Sequence, residues 1–193
     1  TQMRLIFAAA LLLAASCEQM TLVEPGTQSI NGAYEVTTPI AWSRFPLAPM
    51  EQWTVDGLPL QNLRLYATIK DGDALFDNSS PRPDDGVPRY RTSMRASDVA
   101  DFVLASLAQV GTNDADFSNL RPVAFGSLSG FRFDITFFSS DGLAYRGRAC
   151  GAIDAEKILH LLLYIGTDAV YFDAHREAVE NIFRSLTLPN DQK

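Results

Sequence analysis

The stretch Phe131-Arg132-Phe133-Asp134-Ile135-Thr136-Phe137, with Ser139-Ser140-Asp141-Gly142 after it and the return from Leu143 to Ile153, decides the fold. Apolar residues alternate with polar ones at a period of two, the signature of a strand with one face in a core. Ser139 to Gly142 supplies turn chemistry, so the two runs form a hairpin. Its register can be argued. A two-residue Asp141-Gly142 loop would set Ile135 against Arg148. A three-residue loop, Ser140-Asp141-Gly142, sets Phe137 against Tyr145 and Asp134 against Arg148. The second groups apolar with apolar and joins opposite charges, so it is the expected one, with Gly142 left-handed.

Working outward, Lys157 to Ile165 is nearly all apolar and reads as a central strand covered on both faces. Leu63, Leu65, Ala67 and Ile69 alternate as a half-buried strand, and Asp71-Gly72-Asp73 turns the chain. Tyr34 to Thr37 reads as a strand ended by Pro39. Trp42, Phe45 and Pro46 then fall in an irregular segment. The aromatics Trp42, Phe45 and Trp53 suit a core better than a pocket lining. Asp77 to Arg89, with Pro81, Pro83 and Pro88, reads as a loop without regular structure.

Two helices complete the reading. Ser97 is the expected N-cap of the first, with Asp98 in its first turn and Val99, Phe102, Val103, Leu107 and Val110 as its apolar stripe. Gly111 closes it. The second runs from about Asp173, with Val179, Ile182, Phe183 and Leu186 inward and Glu180 and Arg184 as a surface i,i+4 pair. The fold class is therefore α+β, a mostly antiparallel sheet with helices packed on it.

The N-terminus carries a different message. Arg4 precedes an apolar run from Leu5 to Ala15, which fits a signal peptide and is too short to span a bilayer. Leu13-Ala14-Ala15-Ser16-Cys17 ends it and resembles the lipobox of bacterial lipoproteins, except that Ala14 stands where leucine is commoner. The resemblance implies removal of residues 1–16 and acylation of Cys17, the candidate lipidation site. Residues 17–29 are then a lipidated tether, 30–189 a single globular domain and 190–193 a tail. Glu18 follows the cysteine, where aspartate would resemble an inner-membrane retention signal. The expected location is the cell envelope, facing the periplasm, with the outer membrane favoured. The partners expected are the membrane, through the lipid on Cys17, and an envelope protein.

Composition narrows the chemistry. A net charge of −7 and no basic stripe exclude a nucleic-acid partner. With Cys17 acylated, Cys150 is the only thiol left after processing, so the expected mature chain holds no internal disulfide. His160 and His175, the only histidines, have no metal-ligand spacing with other residues. Neither a Gly-x-Ser-x-Gly elbow nor a phosphate-binding loop is present, and Gly126 to Gly130 reads as a turn between strands. No cofactor is implied. Two sites remain. Arg132, Arg146 and Arg148 share one face of the hairpin and could bind an anion beneath the Asp77 to Arg89 loop, although Asp134 could equally be their partner within the fold. Cys150 with His160 could serve as a thiol pair, although His160 lies in an apolar strand and Cys150 reads better as an inert buried thiol.

The arrangement also resembles Mog1/PsbP-like domains. The carriers are Tyr34-Glu35-Val36-Thr37-Thr38-Pro39-Ile40-Ala41-Trp42 at one end. At the other are the strand Ile158 to Ile165, Tyr171-Phe172, and a helix running into Phe183-Arg184-Ser185-Leu186-Thr187-Leu188. It covers about residues 30 to 189, with motifs that are short and degenerate. The resemblance implies an α/β/α sandwich around an antiparallel sheet and a non-catalytic binding or assembly-support role. It carries over no catalytic residue, and the Asp77 to Arg89 loop departs from its compact pattern.

Overall fold

A computed structural model describes residues 20–47, 50–76 and 85–189. The leader, Cys17, most of the Asp77 to Arg89 loop and the tail lie outside the described residues. The strands, in chain order, are β1 (Thr21–Val23), β2 (Gly26–Ile30), β3 (Tyr34–Thr38), β4 (Trp42–Leu47), β5 (Met50–Thr54) and β6 (Gln61–Ile69). Helix α1 (Ala96–Gln109) follows, then β7 (Asn113–Phe125), β8 (Leu128–Phe138), β9 (Ala144–Ile153) and β10 (Leu159–Thr167). Helices α2 (Tyr171–Ala174) and α3 (Arg176–Ser185) close the chain.

Eight strands form one antiparallel sheet in the order β1-β4-β5-β6-β10-β9-β8-β7, and β2 and β3 form a separate hairpin. Every residue of β10 is buried, as expected of a central strand. One face of the sheet packs on α1 through Val99, Phe102, Val103 and Leu107, which meet Phe131, Phe133, Ile135, Leu161 and Leu163. The other packs on the β2–β3 hairpin and α3, where Val36, Val179, Ile182 and Phe183 meet Trp42, Trp53, Leu162 and Tyr164. The result is the α+β fold expected from the hydrophobic pattern, layered as the α/β/α sandwich that the Mog1/PsbP-like resemblance implies. Burying each such side chain stabilises by about 1.5–3 kcal/mol before entropy is charged against it.

The β8–β9 register is the expected one: Asp134 opposes Arg148, and Phe137 opposes Tyr145 with stacked rings 5.1 Å apart. Gly142 has φ of 84° and donates its N–H to the Ser139 carbonyl at 2.9 Å. A Cβ there would meet no other atom within 4 Å, so a side chain would suffer backbone strain and not a clash. Gly142→Val is expected to destabilise the domain by about 1–3 kcal/mol, read as a lower urea midpoint with unchanged slope.

Several expectations need correction. The tether ends early: residues from Thr21 onward are strand, because Thr21-Leu22-Val23 buries Val23 against the core and pairs with β4. Pro25-Gly26 is the corner between two strands, not a linker. The segment from Trp42 is not irregular but strand β4. Strand β6 is buried on both faces, not half-buried, since Tyr66 packs on the α1 side while Leu63 and Leu65 pack on the other. Arg95, not Ser97, is the N-cap of α1; its backbone N–H donates to the Asp98 carboxylate at 2.8 Å. Val110 lies at the end of α1 and is 55% exposed, so it leaves the apolar stripe. The C-terminal helical region is two helices meeting at His175.

The two ends of the Mog1/PsbP resemblance meet in space. Glu35 and Thr187 exchange backbone hydrogen bonds of 2.8 and 3.0 Å, and the Thr37 N–H donates to Ser185 Oγ at 2.7 Å. Two of the three aromatics are core, as expected: Trp42 and Trp53 are fully buried, and Trp42 Nε1 donates to Thr38 Oγ1 at 2.8 Å, whereas Phe45 on β4 is only half-buried.

Candidate functional site

The arginines gather on the face that carries α3. Alternation along β8 and β9 puts Arg132, Asp134, Arg146 and Arg148 on one side of the hairpin, with Cys150 beside Arg132 in the register. Helix α3 lays Glu180 over them. Arg132 holds Glu180 in a bidentate pair, its two terminal nitrogens donating to the two carboxylate oxygens. Arg148 bridges Asp134 and Glu180, both at 2.6 Å. Arg146 pairs with Asp168 and with Asp173, the latter at 2.6 Å, and its guanidinium lies 4.6 Å from the centre of the Phe172 ring. Arg176 also faces Asp173, at 3.4 Å. Four guanidiniums thus meet four carboxylates, Asp134, Asp168, Asp173 and Glu180. The cluster offers an incoming anion no surplus positive charge.

The electrostatics follow. Burial pushes the Glu180 carboxyl up, but the hydrogen bond and charge of Arg132, joined by Arg148, outweigh it and hold the group below the usual carboxylate range. Asp134 behaves likewise: burial opposes ionisation, and hydrogen bonds from Arg148 and Asn119 win. The expected Glu180–Arg184 surface pair does not form. Glu180 turns inward, and Arg184 donates instead to the Glu180 backbone carbonyl at 3.3 Å and to Asn181 Oδ1 at 2.8 Å.

The described end of the loop expected to cover the arginines stands on the other side of the sheet. At its described end, Arg89 donates to Asp85 at 2.6 Å and to the Gly72 carbonyl at 3.1 Å. The following Tyr90 is buried among the residues facing α1. The sheet therefore separates this end of the loop from Arg132, Arg146 and Arg148.

Cys150 and His160 are not poised as a reactive pair. Cys150 is 3% exposed, and burial pushes its thiol up to about 12, against a smaller lowering by Arg132. Both ring nitrogens of His160 are engaged: Nδ1 lies 2.6 Å from the Ala67 carbonyl and Nε2 lies 3.1 Å from Asp154 Oδ2. His175 is not a free surface group either, since its Nε2 pairs with Asp56 across the sheet end. The native protein is expected to resist iodoacetamide at pH 8.5 and to react after unfolding in urea; alkylation counted by mass checks this. Among the described residues no group of three or more His, Cys, Asp or Glu side chains could hold a metal ion.

Two clefts lie at the β7–β8 end. On the α3 face a cleft of about 290 Å³ is lined by Val123, Arg132, Cys150, Phe183, Arg184 and Leu186. On the α1 face a cleft of about 380 Å³ is lined by Ala96, Leu120, Arg121, Ser129, Phe131 and Ile153. Strand β7 separates the two at the open edge of the sheet. Composition offered little signal for this surface, because β7 hides its pattern. Asp114 and Asn119 take positive φ of 51° and 55°, and the register slips between Asn113 and Asp116 and again between Ser118 and Arg121. Two bulges break the alternation that marks a strand.

This architecture is that of PsbP-like domains, a mostly antiparallel sheet with helices packed on it. The solution structure of cyanobacterial PsbP (CyanoP) from Synechocystis sp. PCC 6803 is similar, with a TM-score of 0.55 and 12% sequence identity over 91% of this chain and 95% of that chain. That likeness shows the fold alone. The crystal structure of LpqN, described as involved in cell envelope biogenesis of Mycobacterium tuberculosis, aligns at a TM-score of 0.39 and 10% identity, covering 91% of this chain and 87% of that chain. No protein-family model and no curated protein matches the sequence.

Proposed function

We propose that this chain is a lipid-anchored protein of the bacterial cell envelope whose domain supports or binds a partner protein without catalysing a reaction. The observation that carries it is the leader ending Leu13-Ala14-Ala15-Ser16-Cys17, followed within four residues by the first strand of the domain. An acylated cysteine holds a globular domain to a bilayer without a membrane-spanning helix. No helix among the described residues is long and apolar enough to cross a membrane. The non-catalytic part rests on the site chemistry: the arginines are spent on internal carboxylates, the thiol is buried and His160 has no free nitrogen. The clefts flanking β7 offer the partner surface. Glu18 after the cysteine favours the outer membrane.

Fractionation of cells making wild type or Cys17→Ala tests the anchor. Wild type is expected with the membranes and released only by detergent, and Cys17→Ala in the soluble fraction. Identical soluble behaviour of both would remove the proposal.

A further inference from the structure

We infer that the β1 edge of the sheet faces the bilayer and rests on its headgroups. This rests on the anchor at Cys17. Only four Cα steps separate Cys17 from Thr21, the first residue of β1, and they reach at most about 14 Å. A domain of this length has a radius of gyration of roughly 15 Å. The tether is therefore no longer than the radius of the body it holds, and the domain cannot turn its far side to the membrane.

The residues at this edge suit the position. Strand β1 is the outermost strand at one end of the sheet. Val23 points into the core, and Leu22 points away from it, 63% exposed. Met20, just before the strand, is 58% exposed. Two large apolar side chains beside an acylated residue match an interfacial layer roughly 5–8 Å thick on each side of the hydrocarbon. Arg44 stands opposite Thr21 in the register and donates from Nε to Thr21 Oγ1 at 3.1 Å, placing a guanidinium at the same edge. The bilayer would also cover the unpaired side of an edge strand that otherwise invites pairing with another chain. Seven strand spacings of about 4.8 Å then put β7 and its clefts on the order of 30 Å from the membrane, where a periplasmic partner can reach them.

The test uses the acylated protein carrying Leu22→Cys or Ser118→Cys, the second an exposed position on β7. Each is labelled with an environment-sensitive fluorophore and reconstituted in phosphatidylethanolamine–phosphatidylglycerol vesicles containing a headgroup-nitroxide lipid. Flotation is measured first, and protein that does not float contradicts the anchor itself. Both sites are exposed, so labelled protein is expected to keep the parent's urea midpoint, which verifies folding. Floated, folded protein is expected to show several-fold stronger quenching at position 22 than at position 118. Equal quenching at the two positions, or stronger quenching at 118, would overturn the orientation while leaving the anchor intact.

Discussion

Trp53→Ala is expected to destabilise the domain by about 3–5 kcal/mol, a large part of the stability of an ordinary domain. Trp53 is fully buried in β5, between β4 and β6, with its ring tilted against Trp42 at 6.3 Å. The cost has two parts. Removing the indole leaves a void among Trp42, Leu63 and their neighbours, which the sheet cannot collapse to fill. It also removes the Nε1–H donor that bonds Glu51 Oε2 at 2.9 Å. Glu51 is 6% exposed, and its remaining charged partner, Arg44, stands at 3.8 Å. Trp53→Phe keeps most of the volume and loses only the donor, so it is expected to cost less, about 1–3 kcal/mol. Urea denaturation followed by circular dichroism checks both, and equal midpoints for wild type and Trp53→Ala would contradict this account of the core.

Glu180→Ala is expected to cost about 2–3 kcal/mol at neutral pH, below the full figure for a buried pair because the side chains keep some solvent. Glu180 is the carboxylate that Arg132 and Arg148 share, and their side-chain exposures are 15% and 16%. Its removal leaves Arg132 without the bidentate acceptor and Arg148 with Asp134 alone. The pH dependence has a fixed sign. The folded carboxyl ionises below the usual range, so its contribution is complete above the unfolded value of about 4.3 and is lost as pH falls through the folded value. The difference in stability between wild type and Glu180→Ala should hold steady from neutral pH to about pH 5, then shrink on further acidification. Denaturation curves across that range measure it, and a difference that grows on acidification would contradict the pairing.

The sequence makes the sheet's centre plain and its edges obscure. Strands β8, β9 and β10 are legible because their alternation and turn chemistry agree, and the pairing of Phe137 with Tyr145 and of Asp134 with Arg148 together selects the register. Strand β7 is illegible because two bulges and left-handed Asp114 and Asn119 shift its inward residues out of step. Strand β1 is too short for a period of two to register, and its neighbour Pro25 reads as a breaker. The candidate site divides the same way. That the three arginines share a face follows from strand geometry. That Glu180 neutralises two of them does not, since a helical i,i+4 rule assigns it to Arg184, and only tertiary packing of α3 across the sheet turns it inward. Burial of Cys150 follows from its strand, and the engagement of both His160 nitrogens requires the fold.

The central claim is that Cys17 anchors this domain to an envelope membrane, and the mass of the mature protein tests it most directly. Intact mass spectrometry of the full chain produced in a bacterial host, with fragmentation of its N-terminal peptide, reads the processed end. The predicted result is a chain beginning at Cys17 with fatty acyl groups on that residue. A mature chain that begins elsewhere, or that begins at Cys17 with an unmodified thiol, would contradict it.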